Sequence, residues 1–81
     1  MSRDEIRDAV IQSLSDIAPE TDPRAIDPQS SLREQLDIDS MDFLRFVTAL
    51  HDVLHVDVPE KDYAKVDSID GAVDYLAGKL G

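Results

Sequence analysis

The spacing of apolar side chains predicts a long first helix at the N-terminus. One stripe recurs at intervals of four, four and three residues and comprises Ile6, Val10, Leu14 and Ile17. This spacing is the period of a single helix face. Ser2 and Glu5 have the spacing of a capping box, in which each side chain satisfies a backbone amide of the other. Pro19 ends the pattern, so the helix is expected to stop just before it.

A long loop is predicted from Ala18 to Asp39, because prolines at positions 19, 23 and 28 interrupt any helix there. Four apolar residues are expected to anchor this loop to a core: Ile26, Leu32, Leu36 and Ile38. Ser31 and Glu34 have the spacing of a single capped helical turn. A loop of this length in so short a chain is typically functional.

Helical periodicity resumes from about Ser40 to about His55. When residues are placed at intervals of about 100°, one arc collects apolar side chains and is predicted to face the core. That arc contains Phe43, Phe46, Val47, Leu50, Val53 and Leu54. The opposite face contains Met41, Leu44, Arg45, Thr48, His51, Asp52 and His55. Met41 and Leu44 are notable because core packing does not explain two apolar side chains on that face.

Two further helices are predicted after this point. Pro59 suits the first position of a short third helix over Glu60 to Lys65. Asp67 or Ser68 can cap a last helix. Its inward residues are predicted to be Ile69, Val73, Leu76 and Leu80. The expected fold is all-α, a four-helix bundle with three longer helices, a short third helix and a long loop between the first two. We expect one domain over residues 1–81, close to the size at which a single core is only just sufficient.

The charge of the chain narrows the classes of partner. Eighteen acidic residues against eight basic ones give a formal net charge of −10. Nucleic acids and anionic membranes would be repelled, whereas basic enzyme surfaces would be attracted. Cysteine is missing from the sequence, which excludes disulfides and a thiol nucleophile. No apolar run approaches the length of a membrane span. We therefore predict a cytoplasmic protein without a membrane or nucleic-acid partner. We also expect it to be a monomer.

Three arrangements resemble catalytic or metal sites, and each lacks the residues or the geometry that its chemistry needs. His51 and His55 share a helix face like the zinc-protease pattern, but Asp replaces the required Glu and a third ligand is missing. Asp37 to Asp42 begins like a calcium loop, but the glycine at its sixth position and the glutamate at its twelfth are missing. Ser40 and His51 are eleven residues apart on one helix, so about 16 Å of rise separates nucleophile from base. We predict neither a metal site nor an enzyme.

Ser40 instead resembles an attachment point. The tripeptide Asp39-Ser40-Met41 resembles the Asp-Ser-Leu motif of the acyl carrier proteins, with Met in place of Leu. Other segments fall in that family's order and spacing: residues 32–40, residues 40–54, the Val58-Pro59-Glu60 turn and the ending Ala72-Val73-Asp74-Tyr75-Leu76. A motif that lies in its expected structural context is far stronger evidence than a bare pattern.

The resemblance implies a function in acyl transfer, as in fatty-acid biosynthesis and lipid metabolism. Ser40 would carry 4′-phosphopantetheine derived from coenzyme A, and Asp39 would help to hold the divalent ion of the phosphopantetheinyl transferase. The arm would supply the thiol that this chain lacks, so that cargo travels as a thioester. Other partners would be a dedicated cargo-loading enzyme and downstream acyl-processing enzymes. The expected partner-binding residues are Met41, Asp42, Leu44, Arg45, Thr48, His51 and Asp52.

Several positions depart from the fatty-acid carriers. Asp37 stands where those carriers have glycine, two residues before the Asp of the motif. Arg45 and His51 occupy positions that are commonly Glu, and Thr48 replaces a frequent apolar contact. These changes indicate a specialised carrier with its own loading enzyme. An aminoacyl or peptidyl carrier remains an alternative, as does an acidic protein-interaction domain without a prosthetic group.

One group of residues has two interpretations at this stage. Phe43, Phe46 and Leu50 could be plain core or could line an acyl-chain pocket between helices, and core is favoured because aromatic stripes at helical spacing usually pack. The two roles are compatible in carriers that enclose their cargo.

Overall fold

The computed structural model describes residues 2–80, and this part of the chain contains helices and no strand. Its three longer helices are α1 (Arg3–Ile17), α3 (Ser40–Leu54) and α4 (Ile69–Leu80). Between them lie the short α2 (Leu32–Leu36) and two 3-10 helices, Pro23–Ala25 and Glu60–Val66. α1 packs against both α3 and α4, and α4 also packs against the second 3-10 helix. The predicted all-α bundle is confirmed, and the single helical turn predicted within the long loop is α2.

The start of α1 has the predicted capping box. The hydroxyl of Ser2 accepts from the Glu5 amide at 3.2 Å, and the Glu5 carboxylate accepts from the Ser2 amide at 3.0 Å. These hydrogen bonds stabilise the charged carboxylate and hold the pKa of Glu5 below its ordinary value, with the bond from the Ser2 backbone contributing most. Arginines one turn apart, Arg3 and Arg7, form ion pairs with Asp74 and Asp70 across the α1–α4 contact.

The long loop is held by polar contacts as well as by the buried side chain of Ile26. The Gln35 amide accepts from the Asp27 backbone N–H and donates to the Asp27 carbonyl, both at 2.8 Å. The Asp27 carboxylate in turn accepts from the Gln29 amide and the Ser30 hydroxyl. Those two bonds, the first more than the second, lower the pKa of Asp27. These hydrogen bonds to backbone groups give the segment around Asp27 a defined path to α2.

The core follows the predicted arc of α3 with one error. Phe43, Phe46, Val47, Leu50 and Leu54 are all buried, but Val53 is 50% exposed. Val53 lies at the outer edge of the arc, where α1 and α4 do not cover it. Leu80 was also predicted to face inward and is 40% exposed, because it stands at the end of α4, one turn beyond the buried Leu76.

The predicted third helix is a 3-10 helix, one residue longer than expected, and Pro59 is its N-cap instead of its first residue. Of the two residues predicted to cap the last helix, Asp67 and Ser68, it is Ser68 whose hydroxyl accepts from the Gly71 amide, at 3.0 Å. None of the helices described combines the length and apolar character that crossing a bilayer requires.

A partly buried hydrogen bond joins α4 to the second 3-10 helix. The Tyr75 hydroxyl donates to the Asp62 carboxylate at 2.7 Å. Burial, followed by the Asp62 hydrogen bond and charge, raises the pKa of Tyr75 from 10.0 to about 12. The same bond is the largest cause of a lowered pKa for Asp62. Tyr75 therefore stabilises the fold fully below pH 10 and loses this contribution as the pH rises through about 12. Asp62 stabilises the fold above its ordinary pKa and loses its contribution as the pH falls through the lowered value.

We expect Asp62→Asn to lower the pKa of Tyr75, because the variant removes the charge that opposes tyrosinate formation. The measurement is tyrosinate absorbance against pH in parent and variant. Tyr75→Phe, which leaves Tyr63 as the one tyrosine, identifies the contribution of Tyr75. An unchanged titration curve in Asp62→Asn would show that the carboxylate does not act on Tyr75.

Candidate functional site

Asp39, and not Ser40, caps the N-terminus of α3. The Asp39 backbone is extended, and its carboxylate accepts from the Asp42 amide at 2.9 Å. The helix begins with Ser40. A serine at a helix start is most often needed as a cap. Here Asp39 caps the helix, so the hydroxyl of Ser40 is not needed as a cap.

Ser40 is exposed, as the sequence predicted. Within residues 2–80 no hydrogen bond engages its hydroxyl. The first turn of a helix also presents backbone N–H groups without intrahelical partners, and the helix dipole places partial positive charge there. A phosphate ester formed on this hydroxyl would therefore lie where negative charge is favoured.

The turn that leads into α3 uses an unusual backbone conformation. Asp37, the C-cap of α2, has φ 51° and ψ 43°, in the left-handed region. This is the position at which the fatty-acid carriers have glycine, the residue that adopts this conformation most readily. Aspartate is among the side chains that tolerate it best. The departure from the family noted at Asp37 thus preserves the turn that presents Ser40.

Asp67 fastens α2 to the rest of the fold, and no sequence pattern pointed to this contact. Its carboxylate accepts from the Ser31 hydroxyl at 2.7 Å and from the Arg33 amide at 3.2 Å, while its carbonyl accepts from the Leu32 amide at 2.7 Å. The Arg33 guanidinium also lies 4.9 Å from the centroid of the Phe43 ring. Phe43 stands one turn after Ser40. The contact between Arg33 and Phe43 therefore holds the α2–α3 connection against the core close to Ser40.

The predicted partner-binding residues lie together on the outer side of α3, and we refer to them as the α3 face: Met41, Asp42, Leu44, Arg45, Thr48, His51 and Asp52. Met41 and Leu44 are 64% and 45% exposed, the apolar pair predicted beside the serine. Arg45 pairs with Asp42 at 3.9 Å on the surface. The Thr48 hydroxyl donates to the Leu44 carbonyl at 2.9 Å, so it is occupied within its own helix.

The two histidines of α3 do not act together. Nδ1 of His51 lies 3.0 Å from the carboxylate of Asp57, a partner that the sequence did not indicate. His55 is the C-cap of α3 in the left-handed conformation, with φ 56°. No group of three or more His, Cys, Asp or Glu side chains positioned to hold a metal ion was found in residues 2–80.

A groove of about 470 Å³ runs beside the α3 face. Its residues come from α3, the segment after it, the second 3-10 helix and the end of α4: Leu44, Val47, Thr48, His51, Asp57, Val58, Pro59, Tyr63 and Lys79. Leu44 and His51 lie four and eleven residues beyond Ser40 on the same helix, which corresponds to about 6 and 16 Å of rise. The groove is therefore adjacent to the serine, and sequence reasoning did not identify it.

Comparison with known proteins shows what this chain is similar to. A family model for the phosphopantetheine attachment site matches residues 8–76. The acyl carrier protein of Campylobacter curvus (strain 525.92) is 36% identical over 78 residues, which span 96% of this chain and 94% of that protein. A mitochondrial acyl carrier protein of Neurospora crassa is 29% identical over 76 residues, covering 94% of this chain and 57% of that protein.

The fold is similar to a solved structure of the acyl carrier protein from Enterococcus faecalis. The TM-score is 0.80 at 24% identity, with 96% of this chain and 98% of that chain covered. Since the family model matches most of the chain and a relative above 30% identity covers nearly all of it, the chain belongs to the acyl carrier proteins, which are not enzymes themselves but carry acyl groups on 4′-phosphopantetheine.

Proposed function

We propose that Ser40 is the residue that carries the 4′-phosphopantetheine arm. The observation that carries this proposal is the division of labour at the start of α3, where Asp39 caps the helix and the Ser40 hydroxyl is exposed without a hydrogen-bond partner among residues 2–80. When bound, the arm supplies the thiol on which cargo is held as a thioester. The chain itself contributes an accessible nucleophilic oxygen and a helix N-terminus that favours the attached phosphate.

Asp39 is proposed to assist the phosphopantetheinyl transferase. One carboxylate oxygen caps α3, and the side chain stays exposed next to the serine. Carboxylate oxygens are ligands that Mg²⁺ prefers. The resemblance to the family supports a role for Asp39 in holding the divalent ion of the transferase.

The proposal is tested by measuring the mass of the intact chain before and after the transferase reaction. The purified full chain is incubated with coenzyme A, Mg²⁺ and a phosphopantetheinyl transferase of broad specificity. We expect one phosphopantetheine to be added per chain, and peptide mapping to place it on Ser40. An unmodified mass under conditions that modify a known acyl carrier protein would contradict the proposal and favour the acidic interaction domain instead.

The α3 face is proposed as the surface that partner enzymes bind. It combines the exposed apolar pair Met41 and Leu44 with charged groups, a mixture typical of interfaces whose centre is apolar and whose rim is polar. Arg45 places a positive charge on the α3 face, although the chain as a whole has a net charge of −10. An acidic group on the partner would match Arg45, and this supports a dedicated loading enzyme.

Arg45→Glu is expected to make the chain a better substrate for a general acyl-carrier partner, such as a malonyl transferase of fatty-acid synthesis. The change shifts the local charge by two units toward the acidic face that basic docking patches bind. Long-range attraction acts mainly on the rate of encounter and is screened by salt. The gain in kcat/KM should therefore be largest at low ionic strength, and the fold should be unchanged because the Arg45 side chain is 73% exposed.

Arg24→Glu is the matched control. Its side chain is also exposed, and it makes the same change of charge in the loop, away from the α3 face. A purely global effect of charge would raise the loading rate equally in both variants. If Arg45→Glu and the parent are loaded equally across a salt series, Arg45 does not contribute to partner choice.

We also propose that residues 1–81 form one carrier domain and that it acts as a monomer. The cytoplasmic location stays a prediction, since the relatives include proteins named as mitochondrial as well as bacterial ones.

A further inference from the structure

Tyr63 separates the groove from the core. Its half-buried side chain lines the groove, and its ring also packs against the ring of Phe43, with centroids 5.7 Å apart and planes tilted by 59°. Phe43 in turn packs against Phe46 at 5.8 Å. The three rings form a row from the groove to the centre of the bundle.

The core behind this row is filled. Phe43 is 2% exposed, and Phe46 and Leu50 are fully buried. The other groove residues that reach inward are Val47 and Val58, which are 6% and 9% exposed. An acyl chain that entered the bundle from the groove would have to displace one of these three side chains, and Tyr63 is the largest of them. Phe43, Phe46 and Leu50 are therefore packed core residues in this structure, as the sequence favoured.

The groove outside this barrier has a mixed character. Leu44, Val47 and Val58 provide apolar surface, whereas His51, Asp57 and Lys79 bring polar and charged groups to it. These polar groups interrupt the apolar surface, which suits a short acyl group. A long saturated chain needs continuous apolar surroundings in proportion to its area.

We propose that Tyr63 is a specificity-determining residue that closes the way from the groove into the core, so that this carrier holds short acyl groups in the open groove and does not shelter long straight chains. This inference rests on the proposed attachment of the arm at Ser40. It assigns a class of cargo to that site and names the side chain responsible.

The test compares the thermal stability of loaded forms. Acetyl-coenzyme A or octanoyl-coenzyme A, together with a transferase of broad specificity, loads the full chain, and intact mass confirms each product. A chain that enters the core binds only the folded state and so raises Tm. In the parent we expect the octanoyl form to melt within about 2 °C of the acetyl form. In Tyr63→Ala we expect the octanoyl form to melt at least about 5 °C above the acetyl form of the same variant.

Tyr63→Phe is the matched control, because it keeps the ring and removes only the hydroxyl; it should behave like the parent. Each comparison is made within one variant, so a general loss of stability in Tyr63→Ala cancels. Tyr63→Leu, which retains more packing, replaces it if the alanine variant does not fold. A second readout is the nuclear Overhauser effect between a ¹³C-labelled octanoyl methyl group and the ring of Phe46, expected in the alanine or leucine variant and not in the parent.

Two results would overturn the inference. One is a rise in Tm on octanoyl loading of the parent as large as that of Tyr63→Ala, since the core would then open with the ring in place. The other is no rise in Tyr63→Ala. Both are distinct from a failure of the Ser40 proposal, which would appear earlier as a chain that gains no mass.

Discussion

Ser40→Ala is expected to abolish attachment of phosphopantetheine and with it all carrier activity. The phosphate of the arm needs a hydroxyl oxygen, and Ser40 offers an exposed one at the start of α3, where the helix dipole favours negative charge. Other hydroxyls nearby are engaged; that of Thr48, for example, donates to the Leu44 carbonyl. Intact mass after incubation with coenzyme A and transferase should show full modification of the parent and none of the variant.

The same variant should leave the fold nearly unchanged. Asp39 supplies the cap of α3, so no capping bond is lost when the Ser40 hydroxyl is removed. Alanine is also the better helix former by a few tenths of a kcal/mol. The free energy of unfolding should therefore differ from that of the parent by less than about 1 kcal/mol. Loss of modification can then be assigned to chemistry and not to unfolding.

Ser30→Ala is the control for serine loss as such. Ser30 is exposed in the loop, and its hydroxyl donates to Asp27 at 2.9 Å. This variant should be modified as completely as the parent. A Ser40→Ala protein that still gains the mass of the arm would refute the assignment of the site, and mapping would then identify the true residue.

Phe46→Ala is expected to destabilise the bundle by about 3 kcal/mol or more, which is the usual range for truncating a buried phenylalanine. Phe46 has no exposed surface and packs against Phe43 at the centre of the α3 core face. For a chain of this size such a loss is a large part of the total stability. It should lower Tm by more than about 10 °C. Denaturant titration followed by circular dichroism measures the change.

Met41→Ala is the paired control on the same helix. Its side chain is 64% exposed on the α3 face, so its removal should cost less than about 1 kcal/mol. The pair tests the orientation of α3 as well as the packing. If Met41→Ala proved costly and Phe46→Ala mild, the helix would be rotated relative to the arrangement described and the α3 face would lie elsewhere.

The contrast between Phe46 and Val53 shows how far periodicity alone can predict burial. Both lie in the apolar arc that a spacing of 3.6 residues per turn defines, yet one is fully buried and the other half exposed. Periodicity orients a helix but does not say how wide a face its neighbours cover. Leu80 was misjudged for the same reason, because the α4 stripe continues past the last turn that the other helices cover.

The sequence by itself determined the features that depend on residues close together in the chain. The capping box of Ser2 and Glu5, the end of α1 before Pro19 and the cap of α4 at Ser68 each involve contacts within a few positions. The exposed Ser40 with Met41 beside it belongs to the same class, because an amphipathic pattern records which face meets water.

Only the tertiary structure decided the contacts between distant segments. Asp67 binds Ser31 and Arg33 at the start of α2, more than thirty positions away, and Tyr63 packs against Phe43 at the inner wall of the groove. At Gly71, an added Cβ would lie 2.7 Å from the Lys65 carbonyl oxygen, which explains glycine inside a helix. These relations follow from how the helices approach one another in space. A local pattern carries no record of these contacts in space. The exposed serine of the candidate site could therefore be predicted from the sequence, whereas the groove and the place of Tyr63 at its inner wall could not.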